Sequence, residues 1–201
     1  VQMGVEHVVL TADILSYDEV AANDERRCYH CKHRIFSLIR QAAAEHGIEH
    51  LCDGSNADDS LDYRPGEQAA RELGVLSPMK LLEYTKREIR EASADMALQS
   101  ASKPAYACLA TRIPTGDCIT DERLRRVEAA EHYLHELDFW DVRVRDHGEL
   151  ARIEVSQKDM KDFVKQDFER ISKEFKLLGY KYTTLELSGY SKGSVNNINT
   201  N

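Results

Sequence analysis

The sequence predicts an α/β domain followed by a smaller α+β domain. In the first part of the chain, a buried strand at residues 7–10, a helix at 32–45 and a strand at 48–52 follow one another as in α/β units. In the second part, the order helix, two strands, helix, strand is typical of a small α+β domain. With a boundary placed near Ile119, the predicted parts are 1–118, 119–190 and a tail at 191–201.

The composition is that of a water-soluble globular chain. Its 201 residues are 42% hydrophobic and 31% charged, with a net charge of −8. No apolar run approaches the length of a membrane span, and no secretory signal is recognisable, so we expect a cytoplasmic protein without a membrane partner. The acidic balance disfavours a broad surface for nucleic acid, and we expect no nucleic-acid partner.

Capping and turn residues mark the elements of the first domain. Gly47 closes the helix at 32–45. A further helix at 85–97 begins with Thr85 as its N-cap and Glu88 at the capping-box position. Residues 103–116 are interrupted by proline and are predicted to be irregular.

Hydrophobic periodicity predicts the elements of the second domain. A helix at 121–137 precedes a hairpin that turns at His147-Gly148. Alternation in its first strand, 142–146, places Val142 and Val144 on one face and Arg143 and Arg145 on the other. The remaining predicted elements are the returning strand 151–155, an amphipathic helix at 159–178, a strand at 182–187 and a disordered end at 195–201.

The cysteines are the first candidates for chemistry. Their odd number, five, favours reduced thiols over a disulfide framework. Cys28 and Cys31 are three apart at a helix start and could share a metal; a structural zinc site completed by His30 or His33, or two ordinary thiols, are the alternatives. Cys52 follows a predicted strand and is expected in the core, whereas Cys118 has no recognisable partner.

Cys108 is a separate candidate because it lies in an irregular segment between Lys103 and Arg112. A thiol on a loop between basic residues suits a nucleophile or a third metal ligand. The alternative is a buried small apolar residue.

The segment Asp53-Gly54-Ser55-Asn56 leaves the end of a predicted strand, where ligands of open α/β sheets bind. Glycine with small hydroxyl and amide groups suits a closely approaching nucleotide, and the acids here, with Asp58 and Asp59, could hold Mg²⁺. Such turns are also common without a ligand.

Arg143 and Arg145 share one face of a strand, and two guanidinium groups at this spacing can converge on a phosphate. Glu154 on the next strand and Glu131 on the preceding helix are expected near them. The alternative is a solvated face of surface ion pairs.

Several motifs occur in one order along the chain. They are Arg27-Cys-Tyr-His-Cys-Lys32, Asp53-Gly-Ser-Asn-Ala-Asp-Asp59, Asp62-Tyr-Arg-Pro-Gly66, Ser77-Pro-Met79, Thr85-Lys-Arg-Glu-Ile-Arg90, Cys108-Leu-Ala-Thr-Arg-Ile-Pro-Thr-Gly116, Arg143-Val-Arg145, Ala151-Arg-Ile-Glu154 and Gly189-Tyr-Ser-Lys-Gly-Ser194. Together these motifs resemble the LarE family, the ATP-dependent sulfur transferases of nickel-pincer nucleotide biosynthesis. The resemblance covers residues 5 to about 196.

The resemblance implies a Rossmann-like PP-loop domain, of the adenine nucleotide alpha hydrolase-like type, and a reaction. ATP with Mg²⁺ would adenylate a carboxylate of pyridinium-3,5-biscarboxylic acid mononucleotide, and sulfur would then replace oxygen to give a thiocarboxylate. Asp53, Gly54, Ser55, Asn56 and Arg112 would border the adenylate. Family members assemble into homo-oligomers, and a sulfur donor would be a further partner.

The resemblance also implies the remaining roles. Cys28, Cys31 and Cys108 would hold a [4Fe-4S] cluster that delivers sulfur, or Cys108 alone would sacrifice its own sulfur. Arg143 and Arg145 would bind the substrate phosphate, and Cys108, Glu131 and Glu154 would be catalytic.

Two departures from the family pattern are expected to matter. The Ser-Gly-Gly-x-Asp-Ser loop that binds ATP is absent, so we expect an N-terminally incomplete PP-loop domain; the alternative is a degenerate member that does not bind the triphosphate. Lys192 also stands near the position where the family usually has an arginine. A PP-loop enzyme that thiolates or amidates tRNA, and a zinc-binding module without catalysis, remain alternative functions.

Overall fold

The structure is a computed structural model and describes residues 4–61, 65–103 and 107–190. Lys192 with the rest of the predicted tail, Asp62-Tyr-Arg64, and Pro104-Ala-Tyr106 lie outside the described residues. The chain forms two compact units. The first comprises Val1–Val20 and Asp24–Tyr106, and the second comprises Ala21–Asn23 and Ala107–Asn201.

Helices dominate the first unit. The longest, α2, begins at Arg27 rather than at the predicted Lys32, because the backbone N–H of Arg27 already bonds to the carbonyl of Asp24 at 3.0 Å. Cys28 and Cys31 therefore lie inside this helix, in its first turns. The helices are α1 (Asp18–Ala21), α2 (Arg27–Glu45), α3 (Pro65–Glu72), α4 (Pro78–Leu81) and α5 (Lys86–Asp95).

Gly66 explains how α3 packs on α2. A Cβ at this position would lie 2.7 Å from Cδ of Lys32 and 3.2 Å from the carbonyl oxygen of Cys28. The absence of a side chain therefore permits the two helices to approach at the turn that carries Cys28.

The two strands predicted for this unit are wrong. Residues 7–10 are irregular and exposed, and among the described residues the first unit has one β-bridge, between Cys52 and Leu76. An apolar segment becomes a buried parallel strand only where neighbouring strands accept its hydrogen bonds. Cys52 is consequently exposed, and its predicted place in the core is also wrong.

The second unit is built on a three-stranded sheet in the order β1-β2-β3. β1 (Val142–His147) pairs antiparallel with β2 (Leu150–Val155), and β2 pairs parallel with β3 (Tyr182–Leu185). The hairpin turns at Gly148, whose φ of 72° suits glycine and whose N–H bonds to Oδ1 of Asp146. These strands confirm the predicted hairpin and last strand.

The helices of the second unit agree with the prediction except at one break. The predicted helix at 159–178 is two helices, α7 (Met160–Phe163) and α8 (Phe168–Leu177), because the side chain of Asp167 caps α8 at the N–H of Arg170. The other helix, α6 (Asp121–Glu136), is capped by Thr120. None of the helices among the described residues is long and apolar enough to span a membrane.

One face of the sheet forms the core of this unit with α6, α7 and α8. Ring contacts run from Phe139 to Phe163 and from Phe175 to Tyr180. The buried apolar residues are Ala130, Leu134, Phe139, Val142, Val144, Ala151, Ile153, Val155, Phe163, Ile171, Phe175 and Tyr180. The opposite face of β1 and β2 carries Arg143, Arg145, Arg152 and Glu154.

Candidate functional site

The charged face of the hairpin carries arginines on both strands. In the register of the sheet, Arg143 lies opposite Glu154 and Arg145 lies opposite Arg152. Arg143 is only 8% exposed and Arg145 only 7%. The alternative interpretation, a solvated face of surface ion pairs, is therefore wrong for Arg143 and Arg145.

Arg145 is held on two sides, and its Nε atom has no partner. Nη2 donates to Oε2 of Glu154 at 2.9 Å, and Nη1 donates to the carbonyl of Thr111 at 2.8 Å. Nε is buried and has no hydrogen-bond partner among the described residues. Because buried donors are almost always paired, this N–H is suited to an acceptor supplied by a ligand.

Arg143 is similarly short of partners. Nη1 donates to the carbonyl of its neighbour Val142 at 2.6 Å, and the guanidinium lies 5.0 Å from the ring centroid of Tyr190. No carboxylate of the described residues forms an ion pair with it. A buried cation without a counter-ion favours an anionic ligand.

Glu154 lies between two arginines. Its Oε2 accepts from Arg145, and its Oε1 accepts from Nη2 of Arg152 at 3.1 Å. Arg152 also pairs with Glu186. Both oxygens of Glu154 are thus occupied, and the carboxylate fixes the orientation of the guanidinium of Arg145.

Glu131 and Arg112 form a buried bidentate ion pair at 2.8 and 3.1 Å. Oε1 of Glu131 also accepts from the backbone N–H of Val144 at 2.9 Å, on the outer edge of β1. Nη1 of Arg112 contacts the hydroxyl of Thr111 and the carbonyls of Ala107 and Cys108. The pair therefore connects α6, the edge of the sheet and the turn that carries Cys108.

Cys108 precedes a 3₁₀ turn, Leu109–Arg112, and is exposed. Its carbonyl accepts from the backbone N–H of Thr111 at 3.0 Å and from the Thr111 hydroxyl at 2.7 Å. The reading of Cys108 as a buried apolar residue is wrong, and its thiol is open to solvent in the second unit.

Cys28 and Cys31 lie in the first unit, one helical turn apart on α2. Cys28 is exposed, Cys31 is half-buried, and Nη2 of Arg27 lies 3.3 Å from the sulfur of Cys28. Within the described parts of the chain, no three His, Cys, Asp or Glu side chains are grouped as a metal site. The three-cysteine ligand set stays a prediction.

The loop at Asp53 is organised by its own side chains. Asp53 accepts from the hydroxyls of Ser55 and Ser77 at 2.8 and 2.7 Å and from the backbone N–H of Ser55. Burial acts to raise the pKa of Asp53, but these bonds and the charge of Lys32 outweigh it and lower the pKa below its ordinary value. Asn56 accepts from the N–H of Asp58, whereas Gly54 is exposed.

Asp146 is the centre of an ion cluster that was not predicted from the sequence. This fully buried carboxylate accepts from Arg123, from Arg126 and from the hydroxyl of Tyr180. Arg123 and Arg126 are one turn apart on α6, and Asp146 lies on the strand that follows. This spacing of two arginines before an aspartate on a strand could have indicated the cluster from the sequence.

The parts played by Thr111 and Tyr190 were not predicted either. Arg145 contacts the backbone carbonyl of Thr111, and Arg143 contacts the ring of Tyr190. Contacts of these two kinds produce no recognisable sequence pattern.

Comparison with known proteins gives three similar chains. An uncharacterized protein of Synechocystis sp., slr1717, is 38% identical over 98% of this chain and 74% of its own length. The pyridinium-3,5-bisthiocarboxylic acid mononucleotide synthase of Lactiplantibacillus plantarum is 32% identical over 99% of this chain and 72% of its own. An uncharacterized protein of Methanocaldococcus jannaschii, MJ0830, is 29% identical over 90% and 70%. No family model matches the chain.

The fold and the buried arginines define a protein of mixed helices and strands with a site suited to an anion. The identity to the named synthase over nearly the whole chain then gives the family. The chain belongs to the LarE family, the family of pyridinium-3,5-bisthiocarboxylic acid mononucleotide synthase.

Proposed function

We propose that this protein is an ATP-dependent sulfur transferase that converts carboxylates of pyridinium-3,5-biscarboxylic acid mononucleotide to thiocarboxylates in nickel-pincer nucleotide biosynthesis. The observation that carries the proposal is the buried pair of arginines on β1: Nε of Arg145 has no hydrogen-bond partner, and Arg143 forms no ion pair among the described residues. The substrate has a phosphate, and paired guanidinium groups bind phosphate with short charge-assisted hydrogen bonds.

In the proposed reaction, a substrate carboxylate attacks the α-phosphorus of ATP and releases pyrophosphate. Sulfur then attacks the acyl carbon, and AMP leaves. Arg143 and Arg145 hold the phosphate of the mononucleotide during both steps, and Glu154 keeps Arg145 oriented. Glu131 acts through Arg112, since both of its oxygens are bonded within the protein.

The nucleotide site belongs to the same proposal. We assign the adenylate to the loop of Asp53, Gly54, Ser55 and Asn56, in a PP-loop domain. The exposed Gly54 leaves room for a close approach, and the bonds to Asp53 hold the loop in place. Arg112 forms hydrogen bonds with Glu131 and with the turn that carries Cys108. These bonds support a structural role for Arg112 in the second unit, rather than a contact with the adenylate.

We propose an iron–sulfur cluster as the source of the sulfur, because thiolates are the side chains that hold such clusters. Cys28 and Cys31 are spaced by one turn with the first thiol exposed, and Cys108 is exposed as well. Cys28, Cys31 and Cys108 would be its ligands. When bound, a cluster with three thiolates supplies an iron with an open position for an additional sulfide.

The exposure of Cys108 favours an alternative source of the sulfur, which is the thiol of Cys108 itself. If Cys108 donates its own sulfur, its Cβ–Sγ bond breaks, the thiocarboxylate leaves with the sulfur, and loss of the Cα proton leaves dehydroalanine. The protein would then act once per chain.

The experiment is a turnover assay with the biscarboxylate mononucleotide, ATP, Mg²⁺ and sulfide. We expect pyrophosphate release and a product whose mass shows sulfur in place of oxygen. Arg143→Gln and Arg145→Gln should each lower the rate about tenfold or more, since each removes a charge-assisted hydrogen bond. Arg125→Gln, at an exposed pair with Asp121, is the matched control and should be unaffected.

The same assay separates the sulfur sources. Bound iron and an intact Cys108 peptide after turnover favour the cluster, whereas a Cys108 peptide that has lost its sulfur favours sacrifice. A protein that binds zinc, releases no pyrophosphate and forms no thiocarboxylate contradicts the proposal.

A further inference from the structure

We propose that Arg152 is the third arginine of the anion site and makes the site specific for a phosphate monoester. The site binds a phosphate that carries two negative charges and discriminates against a phosphate esterified on both sides, which carries one. The inference rests on the proposed function in that Arg143 and Arg145 bind the phosphate of the substrate.

The register of the hairpin places Arg152 directly opposite Arg145. Side chains at such positions share a face of the sheet, with Cβ atoms about 5 Å apart, and like charges there repel each other. One carboxylate accepts from both groups: Oε2 of Glu154 from Nη2 of Arg145 at 2.9 Å, and Oε1 from Nη2 of Arg152 at 3.1 Å. A single negative charge therefore holds two opposed guanidinium groups and leaves one of them uncompensated.

Arg152 also shares with Arg145 an unpaired donor. The Nε atoms of both side chains are buried and have no hydrogen-bond partner in the described part of the chain. The side chain of Arg152 is nevertheless 39% exposed as a whole, so an anion from solvent can approach its guanidinium group. Each strand of the hairpin thus contributes one N–H group that is suited to an oxygen of a ligand.

His147 indicates that the two arginines act on a common space. It lies two residues beyond Arg145 on β1 and therefore on the same face of the sheet. Burial lowers the pKa of His147 below its ordinary value, and the charges of Arg152 and, less strongly, of Arg145 lower it further. The carboxylates of Asp146 and Asp117 act in the opposite direction. The positive potential at this end of the hairpin therefore comes from both strands.

The charges on this face match those of a phosphate monoester. Arg143 lies opposite Glu154 in the register, and Arg145 and Arg152 both donate to it. Glu186 pairs with Arg152 at 3.3 Å, but its side chain is 28% exposed and its charge is partly screened by solvent. Three guanidinium groups and one buried carboxylate leave two positive charges. A monoester supplies two negative charges above its second pKa of about 6, whereas a diester supplies one.

The test compares nicotinamide mononucleotide, a phosphate monoester, with the methyl ester of its phosphate, by calorimetry at pH 8. These probes differ by one negative charge and one methyl group. Wild type should bind the monoester about tenfold more tightly, the effect of one additional hydrogen bond between charged groups. In Arg152→Gln this preference should fall to about twofold or less, whereas the control Arg125→Gln, at an exposed ion pair, should keep it.

Arg152→Lys tests whether the charge at this position is responsible. The ammonium group keeps the charge and can donate to a phosphate, so this variant should retain a preference of about fivefold. Denaturant unfolding of both variants verifies that they are folded. A loss of preference in Arg152→Lys as complete as in Arg152→Gln would contradict the role of the charge.

Two further results overturn the inference and leave the anion site intact. If both probes bind more weakly to Arg152→Gln but their ratio is unchanged, Arg152 only holds Glu154. If both the affinities and the ratio are unchanged, the methyl group is excluded by its size and Arg152 has no part in binding. A wild type that binds neither probe lacks the anion site, and the phosphate contacts of the proposed function then fail together with this inference.

Discussion

At the scale of single residues, the second unit buries more charge than its sequence suggests. Arg112, Arg143, Arg145, Glu131 and Glu154 are all at most 8% exposed. Such groups are tolerated where they are paired, and removal of one partner is costly because it leaves a buried charge. The unpaired Nε of Arg145, and the lack of a counter-ion for Arg143 among the described residues, therefore point to a ligand, whereas Glu131 and Asp146 are fully paired.

Asp146 gives a prediction of stability. Asp146→Asn should lower the free energy of unfolding by about 3–5 kcal/mol, because Arg123 and Arg126 lose their buried counter-charge. Denaturant unfolding measures the change. Glu149→Gln, which removes an exposed carboxylate paired with Lys181, should change it by less than about 0.5 kcal/mol.

The same residue gives a pH dependence. Burial acts to raise the pKa of Asp146, but the hydrogen bonds from Arg126, Gly148 and Arg123 outweigh it and lower the pKa below its ordinary value. Its contribution to stability is therefore complete above the unfolded pKa of about 4, and it is lost as the pH falls through the folded pKa. If wild type and Asp146→Asn lose stability in parallel below pH 4, this account of Asp146 is contradicted.

At the scale of elements, a helix or strand was predicted correctly where the contacts that stabilise it lie close together along the chain. The capping box of α5, from Thr85 to Glu88, lies within four residues and was predicted correctly. The hairpin of β1 and β2 was predictable from its alternation and from Gly148. By contrast, residues 7–10 would form a strand only beside neighbouring strands, which are distant along the chain. The break before α8 depends on a single N-cap, the side chain of Asp167.

The capping box gives the prediction at this scale. Thr85→Ala removes the acceptor for the N–H of Glu88 and should cost about 1 kcal/mol in local stability, seen as faster hydrogen exchange in α5. Thr85→Ser keeps the hydroxyl and is the matched control. Equal exchange in the two variants would show that the cap does not stabilise the helix.

At the scale of the whole molecule, some features of the candidate site can be predicted from the sequence and others cannot. The spacing of Arg143 and Arg145 predicted a shared face, and the register confirms it. Their burial could not be predicted, because it depends on the Cys108 turn and on Tyr190, both distant along the chain. The roles of Cys28, Cys31 and the Asp53 loop stay predictions.

The central claim is that the arginines of β1 bind the phosphate of a pyridinium mononucleotide. The most direct measurement compares, by calorimetry, the binding of nicotinamide mononucleotide and of its dephosphorylated nucleoside to wild type, Arg145→Gln and the control Arg125→Gln. We predict that wild type and the control bind the mononucleotide about tenfold or more tightly than the nucleoside, and that Arg145→Gln loses this difference. Equal binding of the two ligands by the wild type, or an unchanged preference in Arg145→Gln, would contradict the account.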